Sequence, residues 1–156
     1  MWVVSAHSPR DPRHSRVMTD SDHATLYCRF VESVVNRHSL NNLDQFLAPD
    51  VVEYAPERTV GLEASRRRLA RWLAAMPDAH LLIEDLVVER DHLMARLRAT
   101  GTASGLRAGI GSADRRLNTL VFETWSLHEG RCIERWLHID RSQCTPTSLG
   151  QDTNGQ

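Results

Sequence analysis

The hydrophobic period of this chain changes at Pro77, from about 3.6 residues before it to 2 after it. A run of helices followed by a run of strands packs as α+β, with the helices covering one face of a largely antiparallel sheet. In the first half, Thr19 to Ser21 supply caps for a helix over about residues 22–37. Leu26, Phe30, Val31, Val34 and Val35 fall on one face of it. Ser39 caps a short second helix with Leu40, Leu43, Phe46 and Leu47 inward, and Pro49 ends it. Residues 51–54 read as a short strand closed by Pro56. Gly61 opens a third helix striped by Leu62, Leu69, Trp72, Leu73 and Met76.

The second half predicts strands over 80–90, 93–102, 116–127 and 132–140. A turn over Arg90–His92, a glycine-punctuated loop over Gly101–Asp114 and a hairpin turn at His128-Glu129-Gly130 connect them. No internal repeat or second domain is visible. The expected organisation is one domain over 19–144, between a disordered N-terminal tail (1–18, with Met18 an alternative start) and a flexible C-terminal tail (145–156).

Composition narrows the chemistry. All nineteen basic side chains are arginine, so Schiff-base and pyridoxal-phosphate chemistry, which need a lysine amine, are excluded. No glycine-rich phosphate loop, zinc spacing or nucleophile elbow occurs. A formal net charge of -1 recruits neither nucleic acid nor an anionic membrane. No apolar stretch approaches the roughly 20 residues that span a bilayer. Cys28, Cys132 and Cys144 are odd in number and widely spaced, which suits reduced thiols in a cytoplasm. What remains is carboxylate, histidine, tyrosine and arginine chemistry in a small pocket, with no metal and no organic cofactor expected.

Several stretches carry a resemblance. They are Phe46-Leu47-Ala48-Pro49-Asp50-Val51-Val52, Met76-Pro77-Asp78, Ile83-Glu84-Asp85-Leu86, Thr100-Gly101-Thr102, and Gly130-Arg131-Cys132-Ile133-Glu134-Arg135-Trp136 with Asp140. In this order the chain resembles the SnoaL-like polyketide cyclases of the nuclear transport factor 2-like superfamily, from about residue 22 to 141. The resemblance implies a cone-shaped α+β barrel, in which three helices pack on a strongly bent sheet and leave an apolar pocket. It also implies dimerisation through the outer sheet face and reactions that need no cofactor. There are two departures. The cyclases place an acid/base aspartate where this chain has Leu137, which cannot move a proton. A family loop that often reads Gly-Ile-Pro-Pro-Thr is here Gly109-Ile110-Gly111-Ser112-Ala113.

Strand alternation proposes the site. If Leu137 faces the pocket, Ile133, Arg135 and Ile139 share its face, and Cys132, Glu134, Trp136 and His138 face away. Glu123 lies where the cyclases carry a pocket histidine, with Thr119, Val121 and Trp125 on its face. Glu123 is the candidate acid or base, alternatively half of a structural pair with Arg135. Tyr54 could donate to a carbonyl or enolate, or alternatively have its ring packed and its hydroxyl at the surface. His138 and Asp140 share a face and could shuttle a proton, although His138 points outward on this assignment. Phe30, Trp72, Met76, Val121, Trp125 and Leu137 would line the pocket. Arg66, Arg67, Arg68 and Arg71 form a basic strip, read as a solvated face or a dock for an acyl carrier protein.

The expected function is a cofactor-free cyclase or isomerase for a lipophilic, polyketide-like molecule. The alternatives are a non-catalytic binding or dimerisation module, and epoxide hydrolysis. The last needs two carboxylates and a polarising group around one water, and the sequence offers one convincing inward carboxylate.

Overall fold

A computed structural model of the protein describes residues 18–103 and 115–140. The expected tails, apart from Met18, lie outside the described residues, as do residues 104–114 of the expected Gly101–Asp114 loop and Cys144.

Thr19 and Asp22 form a reciprocal capping box, which satisfies the first free amides of helix α1 (Asp20–Arg29). The helix continues as a π-helical segment, Phe30–Asn36. Phe30, Val31, Val34 and Val35 are buried as the periodicity required, and Tyr27 and His23 are buried with them. The His23 ring meets the Arg90 carbonyl at 2.7 Å, and Asp20 accepts from the Arg90 amide at 2.9 Å, so α1 is stapled to the turn at Arg90 and Asp91. A 3₁₀ helix, Leu40–Gln45, follows.

Strand β1 (Leu47–Ala55) starts earlier than expected and contains Pro49. Pro49 therefore does not end the second helix. It sits exposed in a register shift between Leu47 and Val52, where a missing amide costs no ladder bond. A strand not expected from the sequence, β2 (Glu57–Val60), pairs antiparallel with β1 around Pro56. Helix α2 (Leu62–Ala75) begins after Gly61, whose φ of 89° favours glycine. Then come β3 (His80–Glu89), β4 (His92–Ala103), β5 (Arg115–His128) and β6 (Arg131–Ile139).

The order across the sheet is β2-β1-β6-β5-β4-β3, antiparallel except for the parallel β1–β6 pair. The sheet is open, with β2 and β3 at its edges. Helices cover its inner face, the arrangement of an α+β fold. On β4, buried Leu93, Ala95, Leu97 and Ala99 alternate with outward residues, as period 2 demands. One core of aromatic and aliphatic side chains fills the space between the layers. A smaller cluster of Leu73, Met76, Ala79 and Ala103 closes the end of α2. Among the described residues, no helix is long and apolar enough to cross a membrane.

Candidate functional site

The centre of the inner face is charged. Glu123 on β5 is 1% exposed and Arg135 on β6 is 5% exposed. Arg135 sits opposite Trp125 and Glu123 opposite Leu137, so the pair is diagonal across the ladder. Arg135 donates Nη2 to Glu123 Oε1 at 2.6 Å and Nε to Oε2 at 3.2 Å, a forked contact. Tyr27 Oη (3.2 Å) and Trp125 Nε1 (3.1 Å) also donate to Oε2. The third nitrogen of Arg135, Nη1, reaches Glu53 Oε2 on β1 at 3.3 Å. Arg68 of α2 pairs with the same Glu53 oxygen and donates Nη1 to the Ala55 carbonyl at 3.3 Å. The array thus runs Tyr27–Glu123–Arg135–Glu53–Arg68 through the core. Phe30 and Trp125 pack on the guanidinium of Arg135, their ring centres 5.3 and 5.9 Å from Cζ.

The electrostatics follow from this packing. Burial works to strip the proton from Arg135, but the Glu123 charge and its hydrogen bonds win and raise its pKa, so it remains a cation. Burial, then the Glu123 charge, pushes the Tyr27 hydroxyl well above its ordinary value, so it stays a donor. Burial and the nearby Arg135 charge lower Arg68 to about 10, still protonated at neutral pH. Cys132 is driven up to about 12 by burial, which leaves it an unreactive thiol.

The structure brings together Glu123, Arg135, Trp125 and Phe30, with Leu137 beside Glu123 and Val121 two residues along β5. Thr119 shares that face, as alternation predicted. Ile133 does not. A bulge between Ser126 and Leu127 of β5 and the facing stretch of β6 leaves Ile133 as the extra residue, so it is 40% exposed while Cys132 is buried.

Tyr54 is not brought to Glu123. It lies on the opposite face of β1 from Glu53 and stacks on Trp136, with ring centres 3.9 Å apart. His138 is exposed on that outer face. Asp140 holds the exit of β6 through its backbone, donating to the Leu120 carbonyl at 2.9 Å and accepting from Thr119 Oγ1. Trp72 sits on α2, and Met76 directly follows that helix, in the smaller core cluster. The basic strip is divided: Arg67 and Arg71 are exposed, but Arg68 turns inward and Arg66 bonds the Leu40 carbonyl.

Glu123 does not project into an open chamber. Its oxygens are enclosed by Tyr27, Trp125 and Arg135. A groove of about 610 Å³ lies instead on the outer face of α1, against the 3₁₀ helix, and is lined by Thr25, Cys28, Arg29, Ser33 and Asn42 among others. Nearer the array, half-buried Leu69 and Trp72 of α2, Leu117 of β5, and Leu137 and Ile139 of β6 pack onto the two core clusters. On the inward face of β4, buried Leu97 stands among small residues, Ala95, Ala99, Gly101 and Ala103. Among the described residues, no three His, Cys, Asp or Glu side chains gather in a way that could hold a metal ion.

The SnoaL-like polyketide cyclase family profile matches residues 25–146. The chain is similar in structure to TsrD from Streptomyces laurentii, with 25% identity, a TM-score of 0.72, and coverage of 81% of this chain and 93% of that one. It is similar to a SnoaL-like polyketide cyclase from Agrobacterium tumefaciens at 21% identity and a TM-score of 0.70, covering 78% of this chain and 93% of the other. IdmH from Streptomyces antibioticus is similar at 21% identity and a TM-score of 0.67, with 78% and 94% covered. No curated protein matches the chain.

Proposed function

The chain belongs to the SnoaL-like polyketide cyclase family, and from that premise we propose that it is a cofactor-free cyclase or isomerase acting on a lipophilic, polyketide-like molecule. One observation carries the reading: a charged array, fixed by its own hydrogen bonds, lies beside half-buried apolar residues of α2 and the sheet. The substrate would lie along Leu69, Trp72, Leu117, Leu137 and Ile139, with its carbonyl oxygen toward the guanidinium side of the array. A preorganised cation lowers the cost of charge developing on that oxygen. A shaped apolar wall holds a flexible chain in its ring-forming conformation, which alone lowers a barrier by several kcal/mol. Glu123, saturated by four donated hydrogen bonds, serves this mechanism by orienting Arg135 rather than by taking a proton. Leu137 in place of the family aspartate fits closure driven by shape.

The test is incubation with a trioxo-octanoyl N-acetylcysteamine thioester, followed by mass spectrometry for the cyclised product. Faster ring closure than in buffer, lost on filling the wall with Leu137→Trp, is the expected result. Binding without acceleration would support the non-catalytic module instead.

A second reading, epoxide hydrolysis, gains from Glu53. It supplies the second inward carboxylate that the sequence did not reveal, across Arg135 from Glu123. Conversion of 1,2-epoxyoctane to its diol would support it over cyclisation. The free thiols Cys28 and Cys132 support a reducing cytoplasmic setting. The apolar outer sheet face supports a homodimer.

A further inference from the structure

The two guanidiniums of the array are not equivalent. Arg135 is 5% exposed, and Nε, Nη1 and Nη2 are all committed to Glu123 and Glu53. Aromatic rings pack on its cationic face. No substrate atom reaches it without dismantling the core. The Arg68 side chain is 21% exposed, and it meets Ala55 through Nη1 and Glu53 through Nη2. It stands one helical turn before Trp72 on α2, so the cation and the indole share a helix face.

The local charge balance points the same way. Among the described residues, the charged groups acting on Arg68 are Glu53 on β1, Glu123 on β5, Arg135 on β6 and Arg71 on its own helix. Within the array two guanidiniums face two carboxylates, and the exposed Arg71 adds a further positive charge one turn along the helix from Arg68. Moreover, one Glu53 oxygen serves both Arg68 and Arg135. Arg68 therefore has only a shared carboxylate oxygen as counter-charge, and it is the member of the array with surface to offer an anionic or strongly polarised oxygen pair.

We propose that Arg68 is the substrate-binding cation of this site, and that it receives the paired oxygens of a 1,3-dicarbonyl as the enolate forms. The Glu53–Arg135–Glu123 chain is the frame that holds it. The planar fork of a guanidinium matches two coplanar oxygens, whereas a point cation would not. The apolar flank of such a compound would cover Trp72. This rests on the cyclase/isomerase reading and names the chemical group that reading requires.

The test uses benzoylacetone, an enolisable 1,3-diketone whose enolate is followed by ultraviolet absorption. Bound to the wild-type protein, it is expected to ionise with an acid constant raised at least about ten-fold over buffer, the effect of roughly one pKa unit of charge stabilisation. Arg68→Met is expected to remove that gain, and Arg67→Met, an exposed neighbour, to keep it. Arg68→Gln, which can still hydrogen-bond Ala55 and Glu53, carries the same expectation should the methionine variant fail to fold by circular dichroism. If the folded Arg68 variants retain the gain, the assignment of Arg68 is overturned while the cyclase/isomerase reading stands. If the wild-type protein binds no benzoylacetone, both the assignment and the cyclase/isomerase reading fall.

Discussion

A guanidinium as deeply buried as that of Arg135 survives only because each of its nitrogens has an acceptor. Replacing a buried ionic group with a well-packed apolar one can be neutral, but removing a single partner strands the others. Arg135→Met would leave Glu123 without a cation in the core, with Tyr27 and Trp125 unable to neutralise it, while Glu53 would keep Arg68 alone. Urea denaturation is expected to show a loss of about 3–5 kcal/mol. The exposed Arg37–Glu32 pair provides the contrast. Arg37→Met should change stability by no more than about 0.5 kcal/mol. A wild-type midpoint for Arg135→Met would mean that the array contributes nothing to the fold. The Glu123–Arg135 pair was legible in the sequence because both residues interrupt apolar rows of known register. Glu53 was not. In Val51-Val52-Glu53-Tyr54 the face carrying Val52 and Tyr54 looks the more apolar, yet the chain buries Val51 and Glu53. Arg68 was hidden for a related reason, since one inward arginine in a run of arginines has no local signature.

At the scale of elements, the corner from α2 into β3 is fixed by a polar clasp as well as by packing. Asp78 accepts from the Thr102 amide at 2.7 Å, and the end of β4 closes so tightly that a Cβ at Gly101 would come within 3.2 Å of Ala79 Cα. That contact explains the glycine of the Thr100-Gly101-Thr102 triplet. The hydrogen bonds from Thr102 hold the Asp78 carboxyl below its ordinary value. A carboxyl whose folded pKa is depressed stabilises the fold above its unfolded pKa and loses that contribution as pH falls through the folded value. Asp78→Asn should therefore unfold at lower urea than the wild type at neutral pH, with the two midpoints converging in acid. A constant gap across that range would refute the electrostatic account. Period and punctuation sufficed for both α-helices and four of the strands. They failed at Glu57–Val60, whose polar residues carry no alternation, and at Ile133, where a bulge resets the register. Pairing with the adjacent strand creates both features, and the alternation of a strand's own residues does not encode it.

For the whole molecule, the open sheet leaves an outer face that one chain cannot cover. Tyr54, Trp136, Thr124, Met94 and Val87 are successive register partners across five strands, and they form one continuous row. Trp136 is 52% exposed, Met94 57% and Val87 60%, with Phe122 and Leu82 on the same face. Scattered exposed apolar residues are ordinary, but a contiguous row containing a tryptophan marks an interaction surface. Beside it, Glu84 bridges Arg96 and Arg98, which supplies both signs of charge at the rim. A two-fold axis through the row would set like apolar residues together and allow the mixed-charge rim to pair with its own copy. Light scattering is accordingly expected to give the mass of a dimer at micromolar concentration. Trp136→Glu combined with Met94→Glu should give a monomer with unchanged circular dichroism, because neither side chain belongs to the core. A monomeric wild type would eliminate self-association as the role of this face. A double variant that stays dimeric would move the interface elsewhere.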